Sequence, residues 1–148
     1  MSVRVVVDTN VLVYTQDADE LERHDRAIEV LDRLVEADGA ALTSQVLAEY
    51  YVTVTRRFRD PLTPELAAEQ VGRLSESMPV FDTSLEVVLE ALRGVVRYRM
   101  SYYDAQIWAA ARLNGVGVVL SEDFQHGQEI EGVRFVDPFA PGFDPEAL

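Results

Sequence analysis

The stretch Val5-Val6-Val7-Asp8-Thr9-Asn10 lies near the beginning of a chain of 148 residues. Its three consecutive β-branched apolar residues predict a buried strand, and the run stops at a carboxylate followed by two small polar residues. In an α/β sheet, ligands bind at the carboxyl ends of the strands, where loops open onto a crevice between the covering helices. The sequence therefore places Asp8 where such a sheet presents its chemistry.

Short apolar runs alternate with amphipathic segments along the rest of the chain. Strands are predicted at residues 1–7, 40–42, 78–81, 117–120 and 133–136, and helices at 11–14, 23–37, 45–58, 64–75, 85–98 and 101–113. The remaining stretches, 121–132 and 138–148, are predicted to hold no regular element. This alternation predicts an α/β fold, a three-layer α/β/α sandwich with a mainly parallel sheet of about five short strands.

Length and composition restrict the class of protein further. We expect one domain over residues 1–140 and a short C-terminal tail at 141–148. The chain has no cysteine, which excludes disulfides and thiolate metal sites and fits a cytoplasmic location. It also has no 18-residue apolar span and no recognisable leader, so we expect neither membrane insertion nor secretion.

The charge balance is strongly acidic. Asp and Glu number 26 against 13 basic residues, all of them Arg, and the formal net charge is −13. Such a charge argues against broad, sequence-independent adhesion to nucleic acid, which requires neutralisation of phosphates. A phosphate substrate remains compatible with it if metal ions carry the positive charge at the site.

Four acidic residues follow or lie beside predicted apolar elements, and each also has an ordinary interpretation. Asp8 could be a turn residue, and Glu49 a solvated residue on its helix. Asp123 could belong to a polar turn in which Glu122 competes for a functional role. Asp104 lies in a segment, 102–111, that is apolar on nearly every side and predicts a buried helix, where a carboxylate needs compensation.

The alternative for Asp104 is a cap, with Ser101 as its partner at the start of the helix. Right-handed crossovers bring the carboxyl ends of parallel strands to one edge, so the acidic residues are expected to converge there. Such carboxylates repel by on the order of 4 kcal/mol per pair at about 4 Å and an effective dielectric near 20. Cations or raised pKa values make the cluster tolerable. All-oxygen ligation favours Mg²⁺ or Mn²⁺ over Zn²⁺.

Taken together, four short blocks resemble the PIN-domain family, and more narrowly the VapC-type toxin ribonucleases of bacterial toxin–antitoxin pairs. They occur in the family's order and spread over nearly the whole chain. The blocks are Val7-Asp8-Thr9-Asn10, Ser44-Gln45-Val46-Leu47-Ala48-Glu49, Tyr103-Asp104-Ala105, and Leu120-Ser121-Glu122-Asp123-Phe124-Gln125-His126-Gly127 with the apolar residues behind it.

The resemblance implies a PIN fold and a site of defined composition. Asp8, Glu49, Asp104 and Asp123 would be the catalytic residues and would hold one or two Mg²⁺ or Mn²⁺ ions. Asn10 and Ser121 would support that site by hydrogen bonding. The implied reaction is hydrolysis of an RNA phosphodiester, with the carboxylates placing the metal and the attacking water.

The resemblance also implies partners. Single-stranded or looped RNA would reach a recessed site best, and candidate contacts to its backbone are Arg56, Arg57, Arg59, Arg97 and Arg99. A small antitoxin protein would bind among the helices between residues 63 and 98, and such domains commonly form homodimers. The apolar residues of that region, such as Leu66, Val71 and Leu74, are on physical grounds more typical of a core. Neither His24 nor His126 is assigned a role.

Two other functions remain open from the sequence. One is a metal-dependent phosphatase with Asp8 as covalent nucleophile, although that class carries a second Asp two positions later, where this chain has Asn10. A third interpretation, a receiver-like phosphoacceptor domain, is disfavoured because such domains need a Lys late in the chain, and this chain has none. The other is a catalytically idle PIN module that acts as a binding or regulatory protein.

Overall fold

A computed structural model describes residues 3–148. Six strands are found in this range, namely β1 (Val5–Val7), β2 (Ala40–Thr43), β3 (Val80–Phe81), β4 (Val118–Leu120), β5 (Glu129–Ile130) and β6 (Val133–Val136). The helices are α1 (Thr9–Tyr14), α2 (Leu21–Glu36), α3 (Ser44–Arg56), α4 (Pro64–Ser77), α5 (Leu85–Tyr98) and α6 (Tyr102–Leu113). The predicted α/β fold with a mainly parallel sheet is confirmed.

The sheet order is β3-β2-β1-β4-β6-β5, and every pairing except β5 with β6 is parallel. β1 therefore lies inside the sheet between β2 and β4. The register places Val7 opposite Leu120, and the amide of Asp8 donates to the Leu120 carbonyl at 2.9 Å. As a result, Asp8 and Ser121 leave the sheet side by side at the carboxyl ends of neighbouring strands.

Helix caps explain several of the element boundaries. The hydroxyls of Thr43, Thr63 and Ser84 accept hydrogen bonds from backbone amides in the first turns of α3, α4 and α5. Side-chain caps of this type satisfy amides that have no partner inside the helix. The predicted bounds of α5 and β6 match the structure, whereas most other elements differ by one to a few residues at their ends.

The core is one apolar cluster that includes residues of the sheet and of α6. Seven consecutive residues of α6, Ala105 to Ala111, are buried, as the absence of a polar face predicted. Trp108 is completely buried and donates to the Ile130 carbonyl at 3.0 Å. Phe124 stacks on Phe135 with ring centroids 3.8 Å apart, which anchors the loop that follows β4.

Two elements lie where the sequence predicted none. β5 forms a hairpin with β6 inside the predicted loop at 121–132, so the sheet has six strands rather than about five. A short 3-10 helix, Pro145–Ala147, lies in the C-terminal tail, and Phe143 and Leu148 pack against the core. The first strand begins at Val5, and the predicted strand residues 1 and 2 lie outside the described range.

The predicted boundary between a domain at 1–140 and a tail at 141–148 stays a prediction. Val71 and Leu74 pack against the core, as their apolar character predicted. The same expectation is wrong for Leu66, which is exposed on α4 because its side chain lies on the outer face of that helix. Among residues 3–148, no helix is long and apolar enough to cross a membrane.

Candidate metal centre

Three of the four predicted acidic residues meet at the carboxyl edge of the sheet. Each of Asp8, Asp104 and Asp123 places a carboxylate oxygen within 4.8 Å of the others. They come from the end of β1, the first turn of α6 and the loop after β4. The fold therefore brings together carboxylates that are separated by up to 115 positions in the sequence.

Asp8 is the most enclosed of the three and is held by two hydrogen bonds. Its side chain accepts from the backbone amide of Thr9 and from the hydroxyl of Ser121, each at 2.7 Å. The first contact caps α1. Asp8 is therefore a helix cap rather than a turn residue, and the same carboxylate also faces the acidic cluster.

Ser121 connects three parts of the site. It is fully buried, and besides donating to Asp8 its hydroxyl accepts from Asn10 Nδ2 at 3.2 Å and from the amide of Asp123 at 3.1 Å. Asn10 Oδ1 in turn accepts from the amide of Glu122 at 3.3 Å. The two residues predicted to support the site therefore belong to one hydrogen-bond network that fixes the loop after β4.

Asp123, rather than Glu122, points into the cluster. Glu122 turns away and pairs with the guanidinium of Arg23 and with the hydroxyl of Tyr14, the latter at 2.8 Å. Of these two neighbours, between which the sequence could not choose, only Asp123 has its side chain in the acidic cluster.

Asp104 is half-buried and does not take part in the reciprocal cap that was its alternative interpretation. The Ser101 hydroxyl accepts no hydrogen bond from a backbone amide in the first turn of α6. Burial raises the pKa of Asp104, the Ser101 hydroxyl opposes this, and the charges of Asp123 and Glu49 raise the pKa further.

Glu49 lies beside the cluster rather than within the three-carboxylate group. Its Oε2 accepts from the Thr9 hydroxyl at 3.1 Å, and its Oε1 accepts from Gln45 Nε2 at 2.6 Å. Its charge nevertheless acts on both Asp8 and Asp104. Thr9 and Gln45 therefore orient the Glu49 side chain, although the sequence analysis assigned neither residue a role. The i, i+4 spacing of Gln45 and Glu49 on α3 is the one sequence signal that could have suggested the second contact.

Burial raises the pKa of Asp8 from 3.8 to about 7, although its hydrogen bonds with Ser121 and Thr9 act in the opposite direction. The nearby charges of Asp123 and Glu49 raise it further. A carboxylate in such surroundings is costly when it is ionised without a cation. The donor set, made of carboxylate oxygens with no cysteine or histidine ligand, fits a hard divalent cation such as Mg²⁺ or Mn²⁺.

The five candidate RNA-contacting arginines form no ion pair among residues 3–148. Arg57 shares two hollows with the acids. It lines a cavity of about 680 Å³ that includes Glu49 and a hollow of about 370 Å³ that includes Asp123. The Arg97 guanidinium lies over the Tyr98 ring, 5.6 Å from its centroid.

Neither histidine contacts the cluster: His24 Nδ1 lies 2.9 Å from the Tyr14 carbonyl, and His126 Nδ1 accepts from the amide of Asp137.

A family model described as the PIN domain matches residues 5–128, which is most of the chain. The chain belongs to the PIN-domain family. This PIN domain is similar to VapC20 of Mycobacterium tuberculosis, a toxin described as cleaving the sarcin–ricin loop. That likeness has a TM-score of 0.60 at 23% identity and covers 78% of this chain and 86% of the other.

Two further structures are similar to this PIN domain. VapBC of Salmonella typhimurium bound to DNA gives a TM-score of 0.68 at 18% identity, covering 93% of this chain and 99% of that one. FitAcB of Neisseria gonorrhoeae gives 0.66 at 17% identity, covering 90% and 97%. At these identities the likeness shows the fold alone. No curated protein matches the sequence.

Proposed function

We propose that this PIN domain is a divalent-metal-dependent ribonuclease that hydrolyses RNA phosphodiester bonds and acts as the toxin of a toxin–antitoxin pair. The observation that carries the proposal is the meeting of Asp8, Asp104 and Asp123 within 4.8 Å at the carboxyl edge of the sheet. The likeness in fold to VapC20, described as a sarcin–ricin-loop-cleaving toxin, supports the choice of RNA as substrate.

The chain's own residues would prepare the site for the cation and the substrate. Asp8, Asp104 and Asp123 would hold Mg²⁺ or Mn²⁺, with Glu49 completing the acidic wall beside them. Ser121 and the Thr9 amide fix the direction of the Asp8 oxygens, and the Asp123 amide is held by the same Ser121 hydroxyl. When bound, the cation supplies Lewis-acid stabilisation of negative charge on the phosphate oxygens. Arg57, which lines hollows shared with Glu49 and Asp123, would contact a neighbouring phosphate of the RNA.

Loss of a single ligand from the cluster tests the assignment. With Mn²⁺ or Mg²⁺ present, the purified chain should cleave single-stranded or looped RNA, and EDTA should abolish cleavage. Asp8→Asn, Asp104→Asn and Asp123→Asn should each lower the rate by orders of magnitude, because each removes a ligand charge. Their thermal midpoints should be unchanged or raised, because the mutual repulsion of the acids falls.

Glu122→Gln is the matched control for this series. Glu122 neighbours Asp123 in sequence but pairs with Arg23 and Tyr14, so its loss should leave cleavage within about a few-fold of the wild-type rate. Full activity in Asp8→Asn or Asp104→Asn would refute the metal-site assignment. Cleavage of phosphate monoesters but not RNA would favour the phosphatase with Asp8 as nucleophile, and protein binding without any turnover would favour the idle module.

A small antitoxin protein is the partner we propose, and the support for it is the similar fold of chains solved as toxin–antitoxin complexes. Expression of the chain should arrest bacterial growth, and co-expression of the product of a small neighbouring reading frame should relieve the arrest. Growth arrest by Asp104→Asn as strong as by the wild type would separate toxicity from the metal site and contradict the proposal.

A homodimer is also proposed, and α5 offers the surface for it. Four of its apolar residues are exposed at spacings of four, three and four positions, which form one stripe along the helix: Leu85, Leu89, Leu92 and Val96. Glu86 lies in the first turn of α5 and Arg97 in its last turn. Antiparallel pairing of two copies would therefore place opposite charges together at both ends of the stripe.

A further inference from the structure

A cavity lies between α3 and the first turns of α6, and Glu49, beside the acidic cluster, is one of its lining residues. It has a volume of about 680 Å³, which falls within the range of small-molecule sites in proteins. Glu49 lines this cavity while touching Thr9, the residue after Asp8. A nucleotide whose phosphate lies at the acids could therefore place its base in the cavity.

The walls of the cavity combine an exposed aromatic ring with small apolar side chains. Tyr103 is 64% exposed and immediately precedes Asp104 in the chain. Its ring packs edge-on against Tyr102 with centroids 5.2 Å apart, and this contact supports the ring orientation. Ala48 and Val52 of α3 add further apolar surface. An exposed aromatic face beside a phosphate-reactive site is suited to stacking on an unpaired base.

A polar group at the inner wall has unused hydrogen-bonding capacity. Gln106 is 94% buried, and its Nε2 donates to Gln45 Oε1 at 2.7 Å. Its own carbonyl oxygen accepts no hydrogen bond within residues 3–148. Every fully buried side-chain oxygen or nitrogen in this range has a hydrogen-bond partner, so the partnerless Gln106 oxygen must be accessible to solvent. Gln106 is also one of the residues that line the cavity. An amino or imino N–H at a base edge would satisfy it.

Gln45 holds this wall in place. Its Nε2 donates to Glu49 Oε1 at 2.6 Å and to the Tyr103 carbonyl at 3.3 Å, while its Oε1 receives the bond from Gln106. One side chain thus connects the acidic wall, the backbone of the aromatic residue and the buried amide. Arg57 lies at the cavity with no ion pair among residues 3–148, where a substrate phosphate can approach it.

We propose that this cavity is a binding site for one unpaired nucleobase of the RNA, which stacks on the Tyr103 ring and donates a hydrogen bond to Gln106 Oε1. This inference rests on the proposed ribonuclease function. It adds that binding of one substrate base in the cavity positions the scissile phosphate at the acids. Tyr103 and Gln106 are thereby binding residues of the substrate base, distinct from the carboxylates that would hold the cation.

The test uses a short single-stranded RNA with 2-aminopurine at one position, whose fluorescence falls when the base stacks. In the presence of Ca²⁺, wild-type protein and Tyr103→Phe, which keeps the ring, should quench it, whereas Tyr103→Ala should not. In cleavage assays with Mn²⁺, Tyr103→Ala should raise KM by on the order of tenfold or more with little change in kcat. Tyr103→Phe should stay within about twofold of the wild-type KM.

Leu113→Ala is the matched control, because Leu113 is an exposed apolar residue at the other end of α6, about 15 Å from Tyr103 along the helix axis. It should leave both readouts unchanged. Equal quenching and equal KM in Tyr103→Ala and wild type would overturn the base site, as would a loss confined to kcat, which would point to displacement of Asp104.

The two proposals fail in different ways. If wild-type protein cleaves RNA but Tyr103→Ala matches it in both assays, the base site is wrong and the ribonuclease assignment stands. If no RNA is cleaved under any metal condition, the ribonuclease assignment fails, and the fluorescence experiment alone decides whether the cavity takes a base.

Discussion

At the scale of single residues, the main feature of the site is the burial of the Asp8 carboxyl. This carboxyl follows a fully buried strand and is itself only 6% exposed, so its charged form is desolvated. Ser121 and the Thr9 amide donate to it and offset part of that cost, but its pKa still rises to about 7. The pKa of this carboxyl therefore lies near neutral pH, and a bound cation would favour its charged form.

This raised pKa predicts a pH-dependent stability for the metal-free protein. Between about pH 4 and pH 7 the folded state keeps a proton on Asp8 that the unfolded state has released, so the free energy of unfolding should fall as pH rises. The accumulated loss is on the order of 4 kcal/mol for a shift of about three pH units. Asp8→Asn removes this contribution, so its stability advantage over wild type should grow from pH 4 to pH 7.

Urea denaturation of both proteins in EDTA across this pH range measures the difference. Parallel profiles for wild type and Asp8→Asn would contradict the raised pKa. Comparing the two proteins isolates Asp8 from other groups that change with folding, such as Glu131, whose pKa is lowered to about 2 mainly by its hydrogen bond with Arg93.

At the scale of elements, the packing of α5 against α6 depends on one glycine. A Cβ added at Gly94 would lie 2.7 Å from Trp108 Cζ3 and 3.0 Å from its Cε3. Trp108 is fully buried and bonded to the Ile130 carbonyl, so it has little room to move. In Gly94→Ala, overpacking should lower the free energy of unfolding by about 1–3 kcal/mol. The better helix propensity of Ala offsets up to about 1 kcal/mol of this loss.

Gly72→Ala on α4 is the matched control, because a Cβ there meets no atom within 4 Å. It should raise the free energy of unfolding by about 0.5–1 kcal/mol. Opposite signs for the two substitutions in urea denaturation would support the close helix contact, and a Gly94→Ala protein as stable as Gly72→Ala would argue against it.

Elements whose boundaries are set by local chemistry could be predicted from the sequence. Ser84 caps α5, and the predicted range of this helix is the observed one. β5 was missed because a two-residue edge strand gives almost no periodicity. Its signal lies in the turn instead: Glu131 and Gly132 both have positive φ, 47° and 84°, and connect two apolar residues as a tight hairpin does.

Some residues of the candidate site could likewise be located from the sequence, and others could not. Asp8 could be located from the strand that precedes it, because a carboxylate at the carboxyl end of a buried strand has a defined position in such a fold. The choice of Asp123 over Glu122 depends on side-chain direction in a loop, which sequence patterns do not encode. The position of Glu49 beside the cluster depends on its contact with Thr9, 40 positions away in sequence.

At the scale of the whole molecule, the sheet order explains how the acidic residues of the proposed site come together. β1 lies between β2 and β4, so residues from four separate stretches reach one edge. Within residues 3–148, six of the 13 arginines form ion pairs, and Arg57, which lines hollows shared with the acids, forms none. With a net charge of −13, approach of RNA should depend on bound divalent cations at this edge rather than on a broad basic surface.

The apolar stripe on α5 leads to the prediction that belongs to this scale. Leu92 is 46% exposed within the stripe, and Leu66 on α4 is exposed to a similar extent, 49%, outside it. In sedimentation velocity experiments at micromolar concentrations the wild-type chain should be a dimer. Leu92→Glu should be a monomer, because symmetric pairing would bury two like charges near each other. Leu66→Glu should leave the dimer intact.

Charge reversal tests the antiparallel arrangement separately from the stripe. Glu86→Arg alone should weaken the dimer, because it places like charges at both ends of the paired helices, and Arg97→Glu in the same chain should restore it. A wild-type monomer at these concentrations, or a dimer that survives Leu92→Glu but dissociates with Leu66→Glu, would contradict the α5 interface. Restoration by the double reversal is the stronger result, since a general loss of stability could not produce it.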